Sequence, residues 1–300
     1  MKINKQLATV LLLLGCSYVS LSQNLLDLLD KEQIDSIGYV SPAFKMTRIS
    51  FGHSTEVRSK GVLELFTATR FWNTPSERSE SFLADRMSTR IALEYGLTNR
   101  LSMAVGVTTF TGVYDTCLKY KLRSQKHGTN KSLFNITFLQ GVSYNNNVIG
   151  YNGTTDLKPF SFTTQLLISK KISSNFSLQI TPSYVYKNAY LPDDNQSNYV
   201  ALGIGGRYKI GAHVSLVSEY YQPFNPTIAI DTYPPFSLGL NWEIGDVLLQ
   251  FMLTNAVDMV EDTFITQTRH NFNFKDPNLN FGFNATYVFH LKNSLKKKRD

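Results

Sequence analysis

The sequence predicts an all-β protein, an antiparallel up-and-down transmembrane β-barrel of about twelve strands with a short N-terminal extension. Three observations carry that reading. Stretches of roughly ten residues alternate apolar and polar side chains with a period of two, as a strand with one oily and one polar face requires. Connections between them mostly alternate long and short, as in barrels with tight turns on one side and free loops on the other. No stretch after the leader approaches the ~18 to 20 uncharged apolar residues of a spanning helix.

The chain opens with Met1-Lys2-Ile3-Asn4-Lys5, an apolar run from Leu7 to Leu14 and small residues up to Ser22, the pattern of a secretory signal peptide over residues 1–22. Ser20 and Ser22 suit a cleavage site before Gln23. Leu13-Leu14-Gly15-Cys16 offers a competing lipidation site. Ordinary cleavage is favoured, because apolar character and small residues continue past Cys16. Cys117 is then the remaining thiol, so no intramolecular disulfide can hold the exported protein together. A closed hydrogen-bonded sheet would do so instead.

Residues 23–60 differ from the rest. Leu25, Leu26, Leu28 and Leu29 with Asp27, Asp30 and Glu32 suggest a short helix or docking segment, followed by chain punctuated by Gly and Ser. It lies either in the periplasm or folded into the barrel as a plug. The barrel itself is expected over 61–291. Its first strand runs from Val62 to Phe71, followed by a polar loop. Three strands follow in a row: Thr89, Ile91, Leu93, Tyr95 and Leu97 on one face, then Leu101, Met103, Val105 and Val107, then Tyr114, Thr116, Leu118, Tyr120 and Leu122. The fifth spans about Leu133 to Tyr144, the sixth Phe160 to Ser169, and the seventh Phe176 to Lys187. Pro182 is the seventh strand's weak point, since it cannot donate to a ladder. Tyr199 to Ile210, Val214 to Tyr221, Phe236 to Ile244, Val247 to Thr254 and Leu279 to Phe289 complete twelve, an even number as such barrels usually have. Connections 109–112 and 124–131 break the alternation of lengths. Both termini fall on the side of the short turns, with 292–300 forming a basic tail. The aromatic-rich last strand suits recognition by barrel-assembly machinery.

The net charge of +7 is no sign of nucleic-acid binding. Lys2 and Lys5 leave with the signal and the tail from Lys292 holds four of the remaining excess charges, so almost no net charge is left on the body. The 20 Phe and 16 Tyr, against a slightly negative mean hydropathy, suit a sheet with aromatic belts and one polar face in outer-membrane lipid.

Several short stretches resemble an uncharacterised outer-membrane β-barrel family, the domain of unknown function 5777. They are Gly52-His53-Ser54-Thr55-Glu56, Lys60-Gly61-Val62-Leu63-Glu64, Arg70-Phe71, Leu93 through Leu101, Tyr114-Asp115 and Tyr120-Lys121-Leu122. They cover roughly the first third of the mature chain. Where the family pattern has Gly after Arg-Phe and after Tyr-Asp, this chain has Trp72 and Thr116. The resemblance implies a barrel in the outer membrane and supplies no known activity.

The polar faces carry Glu64, Arg70, Arg90, Glu94, Asp115, Lys119, Lys121, Arg123, Arg207, Lys209, Glu219 and Glu243, expected to face the lumen. Mixed signs can brace the wall by pairing across strands, or form a constriction that selects solutes. Gly52, His53, Ser54 and Glu56 form the most site-like cluster, readable as a turn or lumen plug, or as part of a metal or nucleophile site. Two ligands are too few for a metal, and neither a metal nor another cofactor is expected. Asp193, Asp194, Asp231, His270 and Asp276 in long loops, and His213 in a short turn, come with no nucleophile motif, so an enzyme is not expected. The sequence therefore predicts a porin-like channel or structural component of the cell envelope for small solutes. The rival is a closed barrel acting as a binding or assembly scaffold through its long external loops for an envelope partner, with a barrel-embedded hydrolase as a lesser alternative.

Overall fold

The computed structural model describes residues 40–73, 84–126, 132–145, 160–187, 196–228, 230–272 and 279–291. The signal peptide, residues 23–39 and the basic tail lie outside them. Twelve strands run in chain order: β1 (Val62–Trp72), β2 (Arg86–Gly96), β3 (Leu101–Thr108), β4 (Val113–Arg123), β5 (Asn135–Asn145), β6 (Phe160–Lys171), β7 (Phe176–Lys187), β8 (Asn198–Lys209), β9 (Val214–Pro223), β10 (Phe236–Ile244), β11 (Val247–Thr254) and β12 (Asn280–His290). Each pairs antiparallel with its neighbour in sequence, and β12 pairs with β1 to close the barrel. Closure leaves no unpaired sheet edge, so the backbone is satisfied without water.

The oily faces do not meet one another. Ile91, Leu93, Val105, Leu118, Ile180, Ile204, Leu240 and Phe251 are all exposed on the outside of the cylinder. A soluble sandwich would bury these side chains between two sheets; here they form a continuous apolar belt, as lipid contact requires. The belt ends in two aromatic rows. Tyr114 pairs with Tyr144 and Tyr144 with Phe160 toward one end of the barrel, while Tyr95, Tyr120, Tyr208, Trp242 and Tyr287 lie toward the other. The second end carries the short turns, such as 97–100 and 245–246; the first carries the long connections.

The two connections that break the length pattern leave the count of twelve intact. The turn 109–112 joins β3 to β4 at the loop end, aided by Gly112 at φ 59°. Between β4 and β5, Lys126 and Ser132 form an isolated antiparallel bridge at the turn end. Pro182 sits inside β7, and the paired register between β6 and β7 passes from Gln165–Ser183 to Ile168–Ile180, skipping the residues opposite the proline. Its missing N–H accounts for that gap.

The interior is filled from two directions. Residues 40–60 enter the lumen at the turn end, climb to mid-barrel, reverse, and return to start β1. They occupy one of the two places open to this segment in the sequence. The connection after β11, read from sequence as an external loop, instead folds inward. It carries one short helix, α1 (Glu261–Gln267), with Phe264 and Ile265 fully buried. A seven-residue helix is too short to persist alone, so α1 owes its existence to packing.

Candidate functional site

The lumen contents are the site to be explained, and they are built around the backbone of residues 47–54. Ser54 N–H donates to Thr47 O at 2.8 Å and Ile49 N–H to Gly52 O at 3.0 Å, closing a tight hairpin bridged at Arg48 and His53. The hairpin stands in the lumen without a sheet on either side, so its remaining polar backbone groups need other partners. Side chains of the wall supply them. Gln250 Nε2 donates to Ile49 O at 2.7 Å, Asn284 Nδ2 to Ser50 O at 3.0 Å, Gln179 Nε2 to His53 O at 2.7 Å and Thr137 Oγ1 to Thr55 O at 2.7 Å. Lys119 Nζ donates to Thr47 O at 3.1 Å and to Glu56 O at 2.5 Å.

The tip is held by one carboxylate. The N–H groups of Ser50, Phe51 and Gly52 donate to Glu219 Oε2 at 2.9, 2.9 and 3.0 Å. Three consecutive backbone donors converging on one oxygen form an anion nest, here filled by a wall residue. Phe51 lies between Tyr221 and Phe264, with ring centroids 5.8 and 4.7 Å away. Inward glycines make this fit possible. A Cβ on Gly203 would lie 2.5 Å from the Tyr221 ring, and one on Gly52 would lie 2.4 Å from the Tyr221 hydroxyl.

Of the twelve charges expected in the lumen, five meet the plug. Glu219 holds the tip; Lys119 takes the carbonyls; Lys121 pairs with Glu56 at 2.9 Å; Glu243 pairs with Lys45 at 3.3 Å; and Glu64 accepts from Thr47 at 2.6 Å and pairs with Arg58. Others pair along the wall. Arg90 grips Asp115 with two hydrogen bonds, Nε to Oδ1 at 3.0 Å and a second from its Nη2 at 2.5 Å to Oδ2. Arg207 meets Glu243 at 2.7 Å, Glu94 accepts from Ser102 at 2.6 Å, and Arg70 donates to Asn284 at 2.8 Å. Lys209 is half-buried at the turn end. Arg123 departs from the expectation. A register shift between Lys121 and Arg123 puts Arg123 opposite Ile136, an outward-facing residue, and leaves it exposed at the end of β4. The bulge adds one residue and so turns the next side chain to the other face.

Gly52, His53, Ser54 and Glu56 are all buried inside the barrel. Burial, then the charges of Arg48, Lys119 and Arg90, hold the His53 imidazole well below its usual pKa, so it sits neutral. Its Nε2 meets Arg48 Nη2 at 3.1 Å, Glu261 Oε1 at 3.4 Å and Cys117 Sγ at 3.7 Å. All three partners share one ring nitrogen. A nucleophile relay needs thiol and carboxylate on opposite nitrogens and an approach for substrate, and this arrangement has neither. No group of three or more His, Cys, Asp or Glu side chains able to hold a metal occurs among the described residues. His213 lies at the turn end and His270 at the loop end, too far apart to cooperate; Asp193, Asp194 and Asp276 fall outside the described residues.

The sequence reasoning missed Glu261, Asp262 and Phe264. Glu261 Oε1 pairs with Arg48 Nη1 at 3.0 Å, and Asp262 faces Lys187 at 3.9 Å. The available signal was Glu261-Asp262 followed by Phe264-Ile265, an acidic first turn ahead of an apolar pair, which marks a helix start.

Residues 44–289 match the family model described as "Membrane bound beta barrel domain (DUF5777)". The chain belongs to this family. The match covers most of the chain, including the plug hairpin. No curated protein matches it. Among solved structures, the NanC porin is similar at 12% identity and a TM-score of 0.47, covering 75% of this chain and 98% of that one. The KdgM porin is similar at 9% identity and a TM-score of 0.47, over 76% and 99% of the two chains. The CymD monoaromatic hydrocarbon channel has 11% identity and a TM-score of 0.38, over 78% and 90%. By the description of the family it belongs to, the chain is a membrane β-barrel.

Proposed function

We propose that this DUF5777 barrel resides in a bacterial outer membrane as a gated passage for small solutes, without enzymatic activity, and that its own N-terminal segment closes it at rest. The carrying observation is how the plug is held. Its backbone is bound by wall side chains rather than by strands, with the tip fastened at the single carboxylate of Glu219. Apolar contacts also hold the plug, with Phe44 and Ile49 against Val217 and Met46 against Leu248 and Val288, but a segment built only to fill space would need no exchangeable polar partners beside them. Side-chain hydrogen bonds can be traded for water one at a time, so the plug can leave while the barrel stays closed around it. The same filled lumen also favours a second reading, a permanently shut barrel that serves as a scaffold.

Planar-bilayer recordings separate the two. The whole chain is expected to be mostly closed with brief openings, and Glu219→Ala to lengthen the open time. Silence from both, with each barrel correctly folded, would reject passage in favour of the scaffold.

A further inference from the structure

At the loop end, a cavity of about 370 Å³ lies between the α1 segment and the ends of β1, β2 and β5. Val257, Asp258, Thr263, Gln267, Thr268, Arg269 and His270 form its inner side, and Trp72, Arg86, Phe110, Thr111 and Asn145 its outer side. The Trp72 and Phe110 rings meet edge to face, with centroids 5.1 Å apart at 83°. Trp72 is buried, whereas Arg86 and Arg269 are exposed. None of these residues is among those that fasten the plug.

We propose that this cavity binds a small solute in which one carboxylate is joined to a flat apolar body, the carboxylate between Arg86 and Arg269 and the body against Trp72 and Phe110. Charge is the first argument. Two guanidinium groups and a single carboxyl, that of Asp258, line the cavity, and Arg86 makes no ion pair among the described residues. Asp258 faces both Lys187 and Arg269, so this one carboxyl is shared and leaves Arg86 without a counter-charge in the cavity lining. A guanidinium presents a planar fork that matches a carboxylate, and a cationic ligand would find only Asp258, which already faces Lys187 and Arg269. Shape is the second argument. The volume is at the low end of the roughly 300–1,000 Å³ of small-molecule sites, so the cavity takes one small molecule and not a polymer. Aromatic edge and face beside polar Thr and Gln groups suit a ring carrying one charged end. The site goes beyond the passage reading, because a solute can bind here whether or not it crosses.

The chain has two tryptophans, Trp72 and the outward-facing Trp242, so Trp242→Phe leaves Trp72 as the sole indole reporter. Titrating that variant, folded in detergent, with benzoate is expected to change Trp72 emission saturably, while benzyl alcohol, with the same ring and no charge, binds about tenfold more weakly or worse. Arg86→Gln and Arg269→Gln should each weaken benzoate binding by about tenfold. Arg86→Lys, which keeps the charge and loses the fork, should fall between. The proposal is overturned if benzoate gives no saturable change, if benzyl alcohol binds as well as benzoate, or if both Gln variants, shown folded by heat-modifiable mobility, bind benzoate as the parent does. A barrel silent in bilayers that still binds benzoate with this pattern would reject the passage and leave the site standing.

Discussion

Replacing Glu219 by alanine tests how the lumen is closed. The change removes the acceptor of three backbone N–H bonds from Ser50, Phe51 and Gly52, all at 2.9 to 3.0 Å and all buried. A buried donor left without a partner costs about 1–3 kcal/mol, so three cost at least about 3 kcal/mol in the plugged state. The plug once displaced has its N–H groups in water and suffers no such loss. The equilibrium therefore shifts toward displacement by about 100-fold, at 1.4 kcal/mol per factor of ten. Ser50→Cys, in a background with Cys16 and Cys117 replaced by serine, places a reporter thiol at the tip. When reclosing outpaces modification, the labelling rate by a soluble maleimide follows the displaced fraction. Labelling should accelerate by about 100-fold with Glu219→Ala and not with Gln222→Ala, an exposed position on the same strand. Equal rates within about threefold, in barrels that migrate as folded, would refute the idea that the nest at Glu219 fastens the plug.

Three further outcomes follow from the same geometry. Val105→Arg places a charge in the exposed apolar belt and should cost about 2–4 kcal/mol near mid-membrane, measured by denaturant unfolding from vesicles, while Ala104→Ser on the lumen side should cost far less. Gly203→Ala sets a methyl 2.5 Å from the Tyr221 ring and should destabilise by about 1–3 kcal/mol in the same assay through overpacking. Asp258 faces Lys187, Asp262 and Arg269, and burial raises its pKa from 3.8 to about 6. The folded state therefore holds this proton over a range where the unfolded chain has released it. The contribution to stability is greatest below pH 3.8 and declines as pH rises to about 6. The melting temperature of the parent should therefore fall relative to that of Asp258→Asn, which does not titrate, as pH rises from about 4 to about 6; a difference independent of pH would show that the carboxyl is not shifted.

The wall was legible because a strand between lipid and a polar interior has to write both faces into alternate residues. β10 and β11 begin and end where the alternation does, at Phe236–Ile244 and Val247–Thr254. The contents of the lumen were not legible in the same way. Residues 40–60 have no periodicity, since their backbone is satisfied by Gln179, Gln250 and Asn284, which in sequence look like ordinary polar-face residues. The holes that admit the plug are inward glycines such as Gly203 and Gly205, and a glycine in a strand reads locally as a weakness rather than as a place for Tyr221 or Ile49. Inward Ala104 illustrates the same limit: its face is polar by alternation, yet it packs with Cys117, Leu139 and Leu167 in an apolar cluster. Arg123 was misplaced because a bulge is invisible to a strict period of two.

The two things that fill this barrel stabilise one another. Phe264 of α1 packs on Phe51 of the plug as well as on Tyr221 of the wall, and Glu261 pairs with Arg48 at 3.0 Å, so the short helix draws a large part of its tertiary support from the hairpin. Seven residues gain too little from their own hydrogen bonds to offset the entropy of ordering them. When the hairpin leaves, α1 therefore loses the Phe51 part of its apolar cover and the Arg48 counter-ion of Glu261, while Tyr221 on the wall still packs on Phe264 and Lys187 still faces Asp262. Thr263 and Gln267 on the same helix form the inner side of the cavity at the loop end. A molecule seated there binds best when α1 is ordered, and α1 is ordered best when the hairpin is in place. Linkage then gives the sign: occupancy of that cavity favours the closed lumen, and a displaced hairpin weakens binding at the mouth by the same free energy.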